Sequence, residues 1–202
     1  MVRVGRRLDD RFPNHVIPHL PEILGWSWCG SELGLALVKR SKSDATSKDR
    51  HSLELIWLVY LLAITLGVVA AYKLRECILP WPRLDLELGC SLFVLGLGLR
   101  WYSIIHLGRF FTINVAIAKD HHLVDSGPYR FIRHPSYTGS LMAVLGFALI
   151  FANWASLLVM FVPVCAVTLW RIHIEEEALV GALGERYSDY MRRTKRLILM
   201  IY

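Results

Sequence analysis

Residues 121–139, HHLVDSGPYRFIRHPSYTG, gather histidine, arginine, tyrosine and serine side chains between strongly apolar parts of the chain. Pro135 predicts the first turn of a helix, because proline has no N–H to leave unpaired there. The free backbone N–H groups and the positive dipole end of that helix favour a carboxylate or a phosphate. Arg130 and Arg133 add positive charge nearby. The stretch therefore predicts a site for an anionic group.

A second polar cluster follows in WRIHIEEEALVGALGERYSDYMRRTKR, residues 170–196. Arg171 and Glu175 lie one helical turn apart there, so their side chains share a face of the predicted helix. This second cluster is a candidate partner of the first. The alternative is that Glu175 only pairs with Arg171 across this turn.

An uncharged run of 35 residues, 136–170, separates the two clusters. As one helix it would be about 52 Å long, well beyond a hydrocarbon core of about 30 Å. We therefore expect a turn at Ala152-Asn153-Trp154 and a tight helical hairpin over residues 136–174. The hairpin returns both polar clusters to one membrane face. It brings together these six side chains: Tyr129, His134, Tyr137, Arg171, Glu175 and Glu176.

Composition indicates an all-α, multi-pass transmembrane protein. Of its 202 residues 54% are hydrophobic, and several apolar runs are near or above bilayer-spanning length. The net charge of +6 lies in segments between these runs and accompanies no recognition motif, which argues against nucleic-acid binding. The four cysteines are far apart and not near histidines at metal-ligand spacing, so we expect no metal site.

The expected architecture has about five spans. Before the hairpin, residues 16–38, 53–72 and 86–107 form three apolar segments, of which 53–72 is the clearest. Residues 39–52 are a basic linker, which the positive-inside rule assigns to the cytoplasm, with the turn at 73–85 outside. If residues 16–38 instead lie along the surface or re-enter, four spans remain. We divide the chain into N-terminal transmembrane helices, 1–107, and a region that holds both polar clusters and the hairpin, 108–202.

Charged and small residues inside the apolar segments point to helix contacts. Glu32 should lie near a membrane end or face other helices, because a charge at mid-membrane costs about 2.5 to 3.5 kcal/mol. Arg100 should face a cavity or partner, or else extend to the surface. Gly96 and Gly98 favour close helix packing over a nucleotide-binding loop. We expect the C-terminal LILMIY to lie on the membrane or fold back.

Three motifs together resemble the isoprenylcysteine carboxyl methyltransferase family. They are L-V-x-S-G-P-Y-R-x-x-R-H-P-S-Y-x-G from Leu123, R-x-x-x-E-E from Arg171 and G-E-x-Y-x-x-Y from Gly184. The resemblance is specific over residues 108–196, and its R-H-P-x-Y-x-G core is shared with phospholipid N-methyltransferases. It implies a methyltransferase that uses S-adenosylmethionine and methylates a lipid-linked carboxylate.

The resemblance also implies residue roles. Arg171 would bind and orient the substrate carboxylate, and Glu175 would serve both catalysis and the cofactor. The backbone from His121 to Val124 would cradle the nucleoside. The expected cofactor-binding residues are Asn114, His121, His122, Leu123, Val124, Tyr129, His134, Pro135, Ser136, Tyr137, Glu175 and Glu176.

Two other functions stay open at this point: methylation of a phospholipid amine, and a non-catalytic membrane scaffold or transporter. We expect a lipophilic substrate that enters from the bilayer, contacts with membrane lipids, and no nucleic acid or obligate protein partner. The expected location is the bacterial inner membrane or the endoplasmic reticulum, with the active site facing the cytoplasm.

Overall fold

The computed structural model describes residues 19–38, 47–108 and 123–197 of the chain, and within these ranges the regular elements are all helices. Their bounds are α1 Leu20–Val38, α2 Ser47–Lys73, α3 Pro82–Leu107, α4 Pro135–Ile150, α5 Trp154–Leu183 and α6 Glu185–Arg193, with a 3₁₀ helix at Gly127–Arg130. The predicted all-α class is confirmed.

In the part of the chain that the structure describes, three helices are long and apolar enough to cross a bilayer: the Glu54–Lys73 part of α2, α3 and α5. The 16 residues of α4 form a shorter apolar helix, about 24 Å long. α1 has 19 residues and includes two glutamates, Glu22 and Glu32. These lengths and compositions confirm the multi-pass helical prediction.

Reciprocal glycine contacts bring α3 and α4 together as antiparallel neighbours. A Cβ built at Gly96 would lie 2.6 Å from the carbonyl oxygen of Gly139, and one at Gly139 would lie 2.5 Å from that of Gly96. Gly89 and Gly146 form a second such pair one heptad away. Only a residue without a side chain allows backbones this close. The predicted packing role is confirmed for Gly96, whereas a Cβ at Gly98 would meet nothing within 4 Å.

The predicted corner between α4 and α5 is confirmed. α4 ends at Ile150 and α5 begins at Trp154, with the Asn153 side chain accepting a hydrogen bond of 2.9 Å from the backbone N–H of Ser156 as the N-cap. Asn153 also donates to the Leu74 carbonyl at 2.8 Å. The corner thus packs against the turn between α2 and α3, and both connections lie at the same end of the molecule.

An aromatic cluster joins three helices in the core. Trp28 of α1, Phe93 of α3 and Phe147 of α4 are all buried, with ring centroids 6.0–6.1 Å apart. Aromatic pairs at this distance stabilise beyond the area that they bury. Trp28 therefore fixes α1 against the α3–α4 pair.

At the other end, the chain folds back after α6. The backbone of residues 194–197 runs beside residues 131–134, with Arg133 N–H bonded to the Lys195 carbonyl at 2.8 Å and His134 N–H to the Arg196 carbonyl at 3.1 Å. Leu197 is buried. Of the two placements expected for LILMIY, folding back is observed at Leu197, and the other five residues lie outside the described residues.

Candidate active site

The 3₁₀ helix positions Tyr129 at the edge of the site. Gly127 adopts φ +57°, a left-handed backbone conformation that favours glycine, and a Cβ there would come within 2.6 Å of the His106 ring. Tyr129 is buried; its hydroxyl donates to the Ser103 carbonyl at 3.3 Å, and its own carbonyl accepts from Tyr190. Burial raises the pKa of Tyr129, so the phenol stays neutral.

Tyr137 links the two polar clusters. It lies in the first turn of α4, and its side chain hydrogen-bonds with those of Arg171 and Glu175 on α5. Arg171 is only 2% exposed, a rare degree of burial for a guanidinium. Glu175 is half-buried and interacts electrostatically with Tyr129 as well. The hairpin therefore brings together a cation, a carboxylate and two phenols from distant parts of the chain.

Glu176 forms a buried ion-pair network beside this group. Its Oε1 lies 2.8 Å from Arg133 Nε and 3.1 Å from His134 Nε2, and its Oε2 lies 2.7 Å from Arg196 Nη2. Arg133 also donates to the carbonyls of Met191 and Thr194. The Arg133 charge is therefore matched within the protein rather than directed at a ligand.

A second ion pair contacts the first turns of α4. Arg100 of α3 pairs with both carboxylate oxygens of Glu32 in α1, at 2.7 Å each. Arg100 also donates to Ser140 Oγ at 2.7 Å and to Ser136 Oγ at 3.2 Å on α4. Glu32 therefore faces another helix, as expected. Arg100 faces a partner, Glu32, rather than extending to the surface.

Most of the predicted site residues converge. Tyr129, His134, Pro135 and Ser136 are buried at or just before the start of α4. Leu123 and Val124 are half-buried in the segment that leads to the 3₁₀ helix. The residues around the Tyr137 contact are thus Tyr129, His134, Pro135, Ser136, Tyr137, Arg171, Glu175 and Glu176. Three predicted cofactor residues, Asn114, His121 and His122, lie outside the described residues.

Sequence reasoning missed some partners of the site. No partner was named for Arg196 from the sequence, and in the structure it pairs with Glu176. The Glu32–Arg100 pair was not anticipated as a pair, although one acidic and one basic residue in two apolar segments are the signal that could have found it. Both partnerships join residues from different helices or segments.

The known proteins that resemble this chain are methyltransferases by name. The phospholipid methyltransferase family model matches residues 84–186, about half of the chain. Protein-S-isoprenylcysteine O-methyltransferase A of Arabidopsis thaliana is 33% identical over 167 residues, covering 79% of this chain and 81% of that protein.

Two further relatives match over a shorter region. Protein-S-isoprenylcysteine O-methyltransferase B of Arabidopsis thaliana is 36% identical over 52% of this chain and 54% of its own length. The Schizosaccharomyces pombe protein-S-isoprenylcysteine O-methyltransferase is 34% identical over 53% of this chain and 46% of its own length. The matched region thus spans about half the length of these two relatives.

The fold also resembles a solved structure. A eukaryotic intramembrane Ras methyltransferase, isoprenylcysteine carboxyl methyltransferase, superposes with a TM-score of 0.58 over 84% of this chain and 61% of the other, at 23% identity. At this identity the likeness concerns the fold, a multi-pass helical arrangement.

Proposed function

Because the chain belongs to the phospholipid methyltransferase family, with protein-S-isoprenylcysteine O-methyltransferases among its relatives, we propose that it is an integral membrane enzyme that methylates a lipid-linked carboxylate. The methyl donor in this proposal is S-adenosylmethionine. The acceptor is of the isoprenylcysteine type and reaches the site from the bilayer.

The observation that carries the proposal is the contact of Tyr137 with both Arg171 and Glu175 at the start of α4. S-adenosylmethionine has a carboxylate, an ammonium group and a sulfonium, so it requires opposite charges close together. The start of α4 supplies backbone N–H groups for the carboxylate, and Glu175 supplies a carboxylate for a cationic group. The donor set therefore fits this cofactor.

When bound, the cofactor supplies an electrophilic methyl group on sulfur. The residues of the chain align the acceptor with it and exclude water, because a displacement at carbon depends chiefly on geometry. Arg171 holds the acceptor carboxylate through two hydrogen bonds and leaves a lone pair free to attack. A carboxylate attacks as an anion, so the chain needs no general base for this reaction.

The remaining predicted cofactor residues have distinct roles in this proposal. The backbone of Leu123 and Val124 contacts the nucleoside, and Tyr129 and His134 form walls of the site. Asn114, His121 and His122 lie outside the described residues and keep only the cofactor-binding role that the family resemblance implies. Glu176 acts through His134 rather than on the cofactor, since Arg133, His134 and Arg196 already surround its two oxygens. The catalytic residues are Arg171 and Glu175.

A methyl-transfer assay on the purified protein tests the proposal. Labelled S-adenosylmethionine should transfer methyl groups to a farnesylcysteine analogue, and calorimetry should detect cofactor binding without any acceptor. Transfer to phosphatidylethanolamine instead would favour the phospholipid amine alternative. If the protein binds no S-adenosylmethionine, both enzyme functions are wrong and the scaffold or transporter hypothesis gains.

A further inference from the structure

The Glu32–Arg100 pair lies between a helix outside the matched family region and the first turns of α4. α1 precedes residue 84, where the family match begins, whereas Arg100 and Ser140 lie within it. The two side chains are 14% and 13% exposed, so the pair is largely shielded from its surroundings. An arginine so placed adopts one orientation when a carboxylate takes two of its hydrogen bonds.

The remaining donors of Arg100 point at α4. Its Nη1 donates to Ser140 at 2.7 Å and to Ser136 at 3.2 Å, which lie one helical turn apart on the same face. Ser136 precedes Tyr137 directly in the chain, and Arg100 also interacts electrostatically with Tyr137. Arg100 thus connects α1 to the turn of α4 that presents Tyr137 to Arg171 and Glu175.

We infer that Glu32 and Arg100 are positioning residues for the cofactor site: the pair fixes the first turns of α4 through Ser136 and Ser140, and so holds Tyr137 against Arg171 and Glu175. The inference rests on the proposed function, because it assigns the pair an effect on S-adenosylmethionine binding. It also gives α1 a role in the site, although none of the predicted site residues lies in that helix.

The pair is more than an attachment of α1, because α1 has independent contacts with its neighbours. Trp28 packs in the aromatic cluster, and Ser31 Oγ accepts a 2.7 Å hydrogen bond from Trp101 Nε1 of α3. Neither contact involves the first turn of α4. Loss of the Ser31–Trp101 bond therefore loosens α1 on α3 without releasing the serines of α4, which makes it a matched control.

The experiment measures S-adenosylmethionine affinity by calorimetry on the purified full-length protein, together with the thermal unfolding midpoint. The double variant Glu32→Leu/Arg100→Met replaces the buried pair by apolar side chains of similar size, a change that often leaves stability unaltered. We expect its unfolding midpoint to stay near that of the wild type and its cofactor affinity to fall about tenfold, as the loss of aligned hydrogen bonds predicts. The control Trp101→Phe should keep wild-type affinity.

Ser140→Ala tests the same connection without disturbing the ion pair, and serves if the double variant does not fold. It should weaken cofactor binding by about threefold at an unchanged unfolding midpoint. Wild-type affinity in a folded double variant, or in Ser140→Ala, would overturn the inference, as would an equal loss in Trp101→Phe. If the wild type itself binds no S-adenosylmethionine, it is the proposed function that fails.

Discussion

Arg171 and Glu175 are adjacent on one face of α5 and both contact Tyr137, yet they differ in charge and burial. Arg171 is buried, whereas Glu175 is half-buried. Opposite charges at one site allow one residue to hold an anionic acceptor and the other a cationic part of the donor. Replacing Arg171 should therefore reduce mainly the methyl-transfer rate, and replacing Glu175 mainly the cofactor affinity.

We predict that Arg171→Lys binds S-adenosylmethionine nearly as the wild type does and loses most methyl transfer. Lysine keeps the charge but not the planar pair of donors, and a misplacement of about 1 Å can reduce the rate on the order of a hundredfold. Calorimetry beside a transfer assay on a prenylcysteine acceptor measures both. Full activity with reduced cofactor affinity would show that the assigned role is wrong.

Glu175→Gln should reduce the affinity for S-adenosylmethionine more than the rate of methyl transfer. Loss of the carboxylate removes the charge that meets the cationic part of the cofactor, so binding should weaken first, by about tenfold for a lost charge-assisted hydrogen bond. The same titration measures it. An unchanged affinity together with reduced turnover would instead assign Glu175 to the acceptor.

The adjacent glutamates Glu176 and Glu177 provide a comparison of buried and exposed ion pairs. We predict that Glu176→Gln lowers the free energy of unfolding by about 3 kcal/mol, because it leaves the buried cations around it without their counter-charge. Glu177 is 65% exposed and pairs only with His173 among the described residues, at 3.3 Å. Glu177→Gln should therefore change stability by less than about 0.5 kcal/mol. Denaturant unfolding of both variants in the same detergent makes the comparison, and equal losses would contradict it.

Among the elements, the α3–α4 pair depends most on small residues. We predict that Gly96→Ala destabilises the protein by about 1 to 3 kcal/mol, since the added methyl group would meet backbone atoms that have no rotamer to change. Gly98→Ala, two residues along the same helix, adds a methyl group into open space.

The Gly98 variant should match or slightly exceed wild-type stability, because alanine favours helix over glycine. The thermal unfolding midpoints of the two variants and the wild type make the comparison. Similar midpoints for both would mean that the helices are not packed as closely as the reciprocal glycine contacts indicate.

The orientation in the membrane is a property of the whole molecule, because it depends on the charges of all the connecting segments. We predict that the basic segment at residues 39–52, whose last residues from Ser47 onward belong to α2, and the candidate site face the cytoplasm, with the turn at 73–85 outside. In a background without the four native cysteines, Ser43→Cys should resist an impermeant thiol reagent in intact cells. Glu76→Cys, at an exposed position of the turn, should react. The reverse pattern would invert the orientation.

The hairpin was determined by the sequence alone. An uncharged run of 35 residues is too long for one crossing, so it had to return and bring His134 and Tyr137 beside Arg171 whatever the details of packing. The turn at Asn153 and the helix start at Pro135 follow from local backbone preferences, which nearby residues encode. Motif order and spacing over residues 123–190 indicated the family, because such motifs can be read along the sequence without knowledge of the packing.

Only the tertiary structure decided which charges meet. Glu32 and Arg100 are 68 residues apart, and His134 and Glu176 are 42 apart, so no local periodicity links them. The hairpin predicted His134 near Glu176, but not which of the charged groups nearby would bond with it. Each charge by itself was compatible with several environments: a partner, a cavity, a headgroup or a ligand. The choice depends on helix rotation and on the close approach of α3 and α4, which the packing of the whole chain sets.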